Sequence, residues 1–298
     1  MESEEIVTVL TPSYNRRQYI DKLYRSLLNQ TKHSFLWLIV DDGSVDGTKE
    51  YVEHIQEEKK IHIKYVYKNN SGKHTAVNLG MQYVYTPLVI IVDSDDKLLP
   101  NAILQIERIH NKYRNNKKLC GYTFLRCHAD GKNIVTLDKD EFVANYIQYR
   151  IKGKRPGDMA EVFRTNVIQQ FPFKEYKDEK FISEDTAWIL MGEQYDTVYI
   201  NIPIYQCEYL EGGLTKSDKK IKFSSPLGSM LRGRLLMLKE CGVVCNLKGA
   251  IIYNCYKCNI KKGIPPELRN LSEREKLLAF ITKPFGYIFY WKWRRQID

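Results

Sequence analysis

Short apolar runs alternate with segments of helical periodicity along the first hundred residues. The runs cover residues 6–10, 35–40, 61–67 and 88–92, and they are rich in aliphatic and β-branched side chains. Between them, apolar residues recur three and four positions apart, as on one face of an amphipathic helix. Strands that alternate with helices in this way form a parallel sheet with right-handed crossovers. The pattern therefore predicts an α/β fold with a mostly parallel central sheet flanked by helices.

The run at 88–92 ends in three carboxylates, Asp93, Asp95 and Asp96. An uninterrupted aliphatic run indicates a strand buried on both faces, so the acids lie at its C-terminal edge, where ligands bind in open α/β sheets. Two carboxylates about 4 Å apart repel each other by roughly 4 kcal/mol at an effective dielectric constant near 20. A divalent cation, Mg²⁺ or Mn²⁺, relieves that repulsion and usually brings phosphates with it. A solvated acidic turn that opens the next helix explains the local sequence equally well.

Polar residues stand at the ends of the other three strands as well, with Thr11 after the first, Asp42 after the second and Lys73 after the third. Loops that follow parallel strands open on the same edge, so these residues are expected to converge with Asp93 and Asp95. A crevice of acids and one lysine suits a nucleotide diphosphate. The first strand is followed by no G-x-G-x-x-G, which disfavours a dinucleotide site, and the chain contains no P-loop motif.

Four linked motifs occur in order, namely VLTPSYN at 9–15, VDDGSVDGT at 40–48, GKHTAVNLG at 72–80 and DSDDKLLP at 93–100. Together they resemble family 2 glycosyltransferases of the GT-A fold. The resemblance implies a Rossmann-like sheet, a metal ion held by Asp95 with Asp93, and contact of Asp42 with the nucleoside of a sugar donor. The donor-binding residues that it implies are Thr11, Pro12, Tyr14, Asp42, Lys73, Asn78, Asp93, Ser94 and Asp95.

Signals are weaker beyond residue 100. Apolar spacing predicts a helix around 103–113 and strands near 119–125, 198–200 and 204–209, whereas 128–155 shows no clear pattern. Asp185 opens an apolar helical run, and either it caps that helix or, as the resemblance implies, it is the catalytic base. The acceptor side that the resemblance implies consists of Glu184, Asp158, Gly213 and Thr215. The last two lie in a glycine-containing loop that is either a mobile lid or a plain connector.

We predict a domain boundary near residue 217, where the alternation of strand and helix ends. Residues 1–217 would form the catalytic domain, with a nucleotide-sugar half at 1–100 and an acceptor half at 101–217, and 218–298 a helical extension. The chain closes with KPFGYIFYWKWRR at 283–295, and aromatic residues mixed with Lys and Arg are typical of interfacial membrane segments. The alternative is a helix that packs these aromatics on the core or on a partner subunit.

The charge balance favours an anionic partner. The 298 residues include 46 Lys and Arg against 36 Asp and Glu, a net charge of +10. The acidic start leads directly into a strand, which predicts no signal peptide, and no apolar run reaches the roughly 20 residues that span a bilayer. We therefore expect a cytoplasmic protein, peripheral at the inner face of the membrane.

The seven cysteines are an odd number, which disfavours a disulfide framework in a cytosolic sequence. Cys255 and Cys258 have zinc-knuckle spacing, with Cys241 and Cys245 as candidate partners. The residues between them have the pattern of an amphipathic helix rather than of a compact ribbon. This favours buried free thiols over structural zinc.

These observations favour a metal-dependent, inverting glycosyltransferase. The resemblance implies a UDP-sugar as donor, and the basic aromatic tail indicates a lipid-linked glycan acceptor, as in bacterial capsule or surface polysaccharide synthesis. A sugar nucleotidyltransferase would show a glycine- and arginine-rich phosphate loop after the first strand, where TPSYN stands instead. A basic nucleic-acid-binding protein is supported by net charge alone, with no recognition motif. The sequence does not indicate an oligomeric state.

Overall fold

The computed structural model describes residues 4–207, 218–260 and 263–296. Contacts divide these residues into two compact units. The first unit contains residues 4–145, 156–172 and 194–207, and the second contains 146–155, 173–193 and the described residues from 218 onward. The units are thus interleaved along the chain. The catalytic domain that we place at 1–217, with its extension, stays a prediction.

In the described part of the chain, nine strands form one mixed sheet in the first unit. The order is β3-β2-β1-β4-β8-β6-β9-β5, with β7 beside β9. The pairs β1–β2, β1–β4 and β2–β3 are parallel, and β8 is antiparallel to both of its neighbours. This confirms the predicted α/β fold. The strands are β1 (Val7–Ser13), β2 (Phe35–Asp41), β3 (Ile63–Tyr67), β4 (Leu88–Ile91), β5 (Lys97–Leu98), β6 (Leu119–Cys127), β7 (Glu141–Asn145), β8 (Met159–Arg164) and β9 (Asp196–Gln206).

Helices of the first unit connect the parallel strands, and the second unit is helical. The first unit contains α1 (Arg17–Leu28), α2 (Thr48–Glu57), α3 (Lys73–Met81), α4 (Ala102–Tyr113) and α5 (Thr165–Ile168). The second contains α6 (Asp185–Gly192), α7 (Asp218–Ser224), α8 (Pro226–Leu235), α9 (Val243–Lys257), α10 (Pro266–Arg269) and α11 (Glu273–Arg294), with a π-helix at Ile147–Lys152 and a 3-10 turn at Lys239–Cys241. None of the described helices combines the length and the apolarity that crossing a membrane requires.

The register of the parallel strands aligns their C-terminal ends. Ser13 at the end of β1 pairs with Asp41 at the end of β2, and Asp41 pairs with Tyr67 at the end of β3. All seven residues of β2 are buried, as expected for a strand with helices on both faces of its sheet. Each fully buried Val, Leu or Ile contributes about 1.5 to 3 kcal/mol. The loops after β1 to β4 therefore start from one rigid edge.

Two parts of the region after residue 125 differ from the sequence expectations. Strand structure at 198–200 and 204–206 is confirmed, but the division into two strands is wrong, because residues 196–206 form the single strand β9. The pairing of β9 with β6 is irregular between Tyr199 and Pro203, where a residue without an N–H is tolerated. The segment 128–155, which showed no pattern, forms β7 and the π-helix.

Small residues bring the long helices of the second unit close together. A Cβ atom on Gly249 of α9 would lie 2.6 Å from the carbonyl oxygen of Gly233 of α8. A Cβ on Gly286 of α11 would overlap Asn254 of α9. The side chain of Glu179 accepts hydrogen bonds from the amides of Leu227 (2.7 Å) and Gly228 (2.9 Å), at the start of α8. The predicted helical character after residue 226 is confirmed.

The cysteines of this unit lie on or beside α9. Cys255 is buried in α9, and burial raises the pKa of its thiol to about 12. Cys245 is on the same helix, Cys258 follows its last residue, and Cys241 is buried in the preceding 3-10 turn. All seven cysteines carry free thiols.

Candidate functional site

The turn after β2 is fastened to the loop after β1. The carboxylate of Asp41 accepts a hydrogen bond from the amide of Ser44 (2.7 Å), and the side-chain oxygen of Asn15 accepts one from the amide of Val45 (3.0 Å). Gly43 has φ +89°, and a Cβ atom there would lie 2.8 Å from the amide nitrogen of Asn70. Glycine is therefore required where this turn approaches the loop after β3.

Asp42 holds the loop that leads from β3 into α3. Its side chain is buried, and its carboxylate accepts hydrogen bonds from Lys68 Nζ (2.6 Å), from the Ser71 amide (2.9 Å) and from the Gly72 amide (2.7 Å). The structure thus gives Asp42 a positioning role toward Lys73, the first residue of α3. Its contact with a nucleoside, implied by the resemblance, stays a prediction.

Replacing Asp42 with alanine should reduce the free energy of unfolding by about 3 to 5 kcal/mol, because it leaves the nearly buried ammonium of Lys68 without an opposite charge. Urea denaturation measures this loss. The matched control is Asp130→Ala, which removes an exposed pair with Lys132 and should cost about 1 kcal/mol or less. Equal losses in the two variants would show that Asp42 does not anchor the loop.

Lys73 and Asp93 form an ion pair across the ends of β3 and β4. The distance from Lys73 Nζ to Asp93 Oδ1 is 2.5 Å, and each side chain is about one third exposed. Burial raises the pKa of Asp93, but the positive charges of Lys73, Arg126 and Arg16 oppose it, so that the pKa lies below its ordinary value. Asp93 is therefore ionised at neutral pH.

Asp95 is in a less favourable electrostatic environment. Burial, and then the negative charge of Asp93, raise the pKa of Asp95 above its ordinary value. Within the described ranges, no three His, Cys, Asp or Glu side chains are grouped to hold a metal ion. Mg²⁺ is commonly held by one or two carboxylates, with phosphates and water completing its shell. The pair Asp93 and Asp95 fits such a cation.

Two residues that sequence analysis missed support the carboxylates. The hydroxyl of Tyr205 on β9 accepts a hydrogen bond from the amide of Asp93 (3.0 Å) and donates one to Asp96 (2.8 Å). The guanidinium of Arg126 on β6 lies 4.2 Å from the centre of the Tyr205 ring. Burial raises the pKa of Tyr205 well above its ordinary value, so its hydroxyl stays a donor. No local motif marks these residues, because only strand pairing brings them to the acids.

Asp185 belongs to the second unit, where it is the first residue of α6. Its carboxylate accepts hydrogen bonds from Ser183 Oγ (2.6 Å) and from Arg232 Nε on α8 (2.7 and 3.0 Å to its two oxygens). Glu184 is the N-cap residue, and its side chain makes no capping hydrogen bond. The structure therefore shows Asp185 in an ion pair with Arg232, a residue that the sequence did not indicate.

The other predicted site residues differ in exposure. The hydroxyl of Thr11 accepts a hydrogen bond from the indole of Trp37 (3.0 Å) inside the core. Pro12 and Ser94 are buried, Asn78 is half-buried on α3, Tyr14 is exposed and Asp158 is exposed just before β8. Gly213 and Thr215 lie outside the described residues. The first unit thus places Asp42 after β2, Lys73 after β3, and Asp93 and Asp95 after β4, at one edge of the sheet, as predicted. The expectation that Thr11 lies in the loop after the first strand is wrong, because Thr11 belongs to β1 and its hydroxyl bonds to the core.

Comparison with known proteins gives this edge its context. Residues 8–119 match the model of the family "Glycosyl transferase family 2". This part of the chain is therefore similar to family 2 glycosyltransferases. The chain is 38% identical over 93 residues to the "Putative teichuronic acid biosynthesis glycosyltransferase TuaG" of Bacillus subtilis, an alignment that covers 31% of this chain and 36% of TuaG. The chain thus spans about a third of that relative's length.

A longer alignment covers 77% of this chain and 74% of the "GalNAc(5)-diNAcBac-PP-undecaprenol beta-1,3-glucosyltransferase" of Campylobacter jejuni, at 24% identity over 242 residues. The crystal structure of S. aureus TarS 1-349 in complex with UDP-GlcNAc is similar with a TM-score of 0.62 and 16% identity, covering 98% of this chain and 92% of TarS 1-349. The predicted family resemblance and the GT-A fold are confirmed.

Proposed function

We propose that this protein transfers a sugar from a UDP-sugar to a hydroxyl of a lipid-linked glycan in bacterial surface polysaccharide synthesis. The observation that carries the proposal is the placement of Lys73, after β3, and of Asp93 and Asp95, after β4, at one edge of the sheet, within the residues that match the family 2 model. The complex of TarS with UDP-GlcNAc and the undecaprenol-linked acceptor in the name of the Campylobacter relative support the two substrates.

On the donor side, Asp95 and Asp93 would hold Mn²⁺ or Mg²⁺. When bound, the ion neutralises charge on the departing diphosphate. Lys73, beside Asp93, adds a further positive charge for the diphosphate oxygens. Asp42 would act indirectly, because its carboxylate fixes the loop that precedes Lys73, the first residue of α3.

On the acceptor side, Asp185 would take the proton from the attacking hydroxyl as general base. The hydroxyl attacks the anomeric carbon from the face opposite the diphosphate, and a single displacement inverts that carbon. Arg232 is a positioning residue, since it contacts both oxygens of Asp185. Glu184 and Asp158 stay predicted contributors to acceptor binding. The proposed place of action is the cytoplasmic face of the membrane.

Thermal stability in the presence of nucleotide sugars tests the donor class. A UDP-sugar with Mn²⁺ should raise the unfolding temperature, with about 2.7 kcal/mol of stabilisation at a ligand concentration of 100 Kd. The same sugar without metal should give a much smaller shift. Stabilisation by a nucleoside triphosphate with a sugar phosphate would favour a nucleotidyltransferase instead. Salt-sensitive binding of DNA or RNA alone would favour the nucleic-acid alternative.

Replacing Arg232 with alanine should lower kcat by about a hundredfold, because a misplaced catalytic group loses that much. The KM for the donor should change little. The matched control is Arg234→Ala on the same helix, which removes an ion pair with Glu275 and leaves Asp185 untouched. Steady-state kinetics of both variants separate the two effects. If both lose kcat equally, Arg232 acts through the stability of α8 and not through Asp185.

A further inference from the structure

Helix α11 has one face that packs within the second unit. The helix begins at a capping box, in which the Glu275 carboxylate accepts a hydrogen bond from the Ser272 amide (2.7 Å). Thr282 and Gly286 are buried against α9, and Asn254 Nδ2 of α9 donates to the carbonyl oxygen of Ala279 (2.7 Å). These contacts fix which face of α11 packs against α9.

Aromatic residues near the end of α11 also pack within the second unit and keep the same face of the helix turned inward. The Tyr290 ring stacks on Phe223 at 6.1 Å, and the Trp293 ring lies 6.3 Å from that of Tyr256. The sequence alternative in which the tail aromatics pack on the protein is thus correct for these residues. It does not account for the others.

The opposite face of α11 is apolar and exposed. Phe280 is 77% exposed, and Ile288 is 62% exposed. Apolar residues recur at spacings of three and four along this face, which is the period of a helix stripe. The stripe consists of Leu277, Phe280, Ile281, Pro284, Ile288 and Trp291, with Phe285 and Tyr287 exposed at its edges. We call these residues the outer face. A continuous exposed apolar surface of this kind marks an interaction site.

The net positive charge of α11 favours an anionic partner for the outer face. From residue 276 to 295 the chain has five basic residues and no acidic ones. They are Lys276, Lys283, Lys292, Arg294 and Arg295. A second copy of the same helix would bring like charges together along the edges of the contact, which is unfavourable. Lys276 is paired with Glu273 (2.6 Å), and an anionic lipid surface attracts the other four. Aromatic and aliphatic side chains insert between its headgroups.

We propose that the outer face of α11 docks on the anionic surface of a lipid bilayer, with the helix axis in the plane of the membrane. This rests on the proposed function, because a lipid-linked acceptor is reached from that surface. The inference goes beyond the proposed function, because it assigns the membrane contact to one helix face that begins at Leu277. It also excludes Tyr290 and Trp293 from that contact.

Flotation with vesicles tests the proposal. The full chain should bind vesicles of phosphatidylcholine with phosphatidylglycerol, and it should bind pure phosphatidylcholine much more weakly. The double variant Phe280→Glu/Ile288→Glu should bind the anionic vesicles at least about tenfold more weakly, since burying such side chains is worth more than one factor of ten. Leu104→Glu, on an exposed leucine of α4, is the matched control and should bind as the parent does.

The remaining outcomes are also decisive. Absence of flotation by the unchanged protein, or flotation of the double variant at the parent level, overturns the proposal. Light scattering that shows a dimer lost in the double variant assigns the face to a second copy. Stabilisation by UDP-GlcNAc with Mn²⁺ is measured separately on the unchanged protein. Donor binding without flotation rejects the membrane contact alone, and flotation without donor binding rejects the proposed function alone.

Discussion

Replacing Asp95 with asparagine should abolish the binding of a UDP-sugar in the presence of Mn²⁺. The amide removes one of the two carboxylates that would hold the ion, and Asp93 is already paired with Lys73 at 2.5 Å. Titration calorimetry should show donor binding that depends on Mn²⁺ in the parent and no heat in the variant. Asp130→Asn, on an exposed acid of the same unit, is the control and should bind the donor normally.

The same substitution should make the metal-free protein more stable at neutral pH. Burial and Asp93 raise the pKa of Asp95 in the folded state, so its ionisation opposes folding as the pH rises through that pKa. The cost is absent below the ordinary value of 3.8, where the carboxyl is protonated in both states. Urea denaturation should therefore show a gain for Asp95→Asn at pH 7 that disappears below about pH 4. An equal gain at both values would assign it to another cause.

The parallel half of the sheet was predictable because its signal is local. β2 is apolar up to its closing Asp41 and β4 is apolar throughout, and both strands are buried along their whole length. β1 and β3 contain single polar residues, but apolar side chains still dominate them. The position of the acids after β4 then follows from the direction of the strand. This is why Lys73 and Asp93 were correctly expected at one edge of the sheet, although no periodicity indicates that they form an ion pair.

The remaining parts depend on contacts between distant segments. Tyr205 meets the turn after β4 from 112 residues away in sequence, and Arg232 meets Asp185 from 47 residues away. Neither residue stands in a motif, and single arginines and tyrosines are common on surfaces. Pro203 suggests a break between two strands, but the irregular pairing with β6 absorbs it. The sequence of the tail likewise contains the aromatic residues, but it does not indicate which of them pack against the protein.

Replacing Asp185 with asparagine should reduce the rate of sugar transfer by about 10² to 10⁴-fold, which is the range for loss of a general base. The binding of the UDP-sugar should change little, because the proposed donor site consists of Lys73, Asp93 and Asp95 of the first unit. Single-turnover transfer and donor titration, performed on the same preparation, measure the two quantities. The matched control is Glu193→Gln at the opposite end of α6, which should transfer at the parent rate.

The ion pair with Arg232 makes this substitution informative about mechanism as well as identity. An asparagine still offers one oxygen to the guanidinium, so α6 and α8 keep part of their contact and the unfolding temperature should fall only slightly. Collapse of transfer in a folded protein that still binds donor then follows from the missing proton acceptor. Transfer retained within a few-fold would instead identify Asp185 as a structural partner of Arg232, and the base would have to be sought among the other acids of the chain.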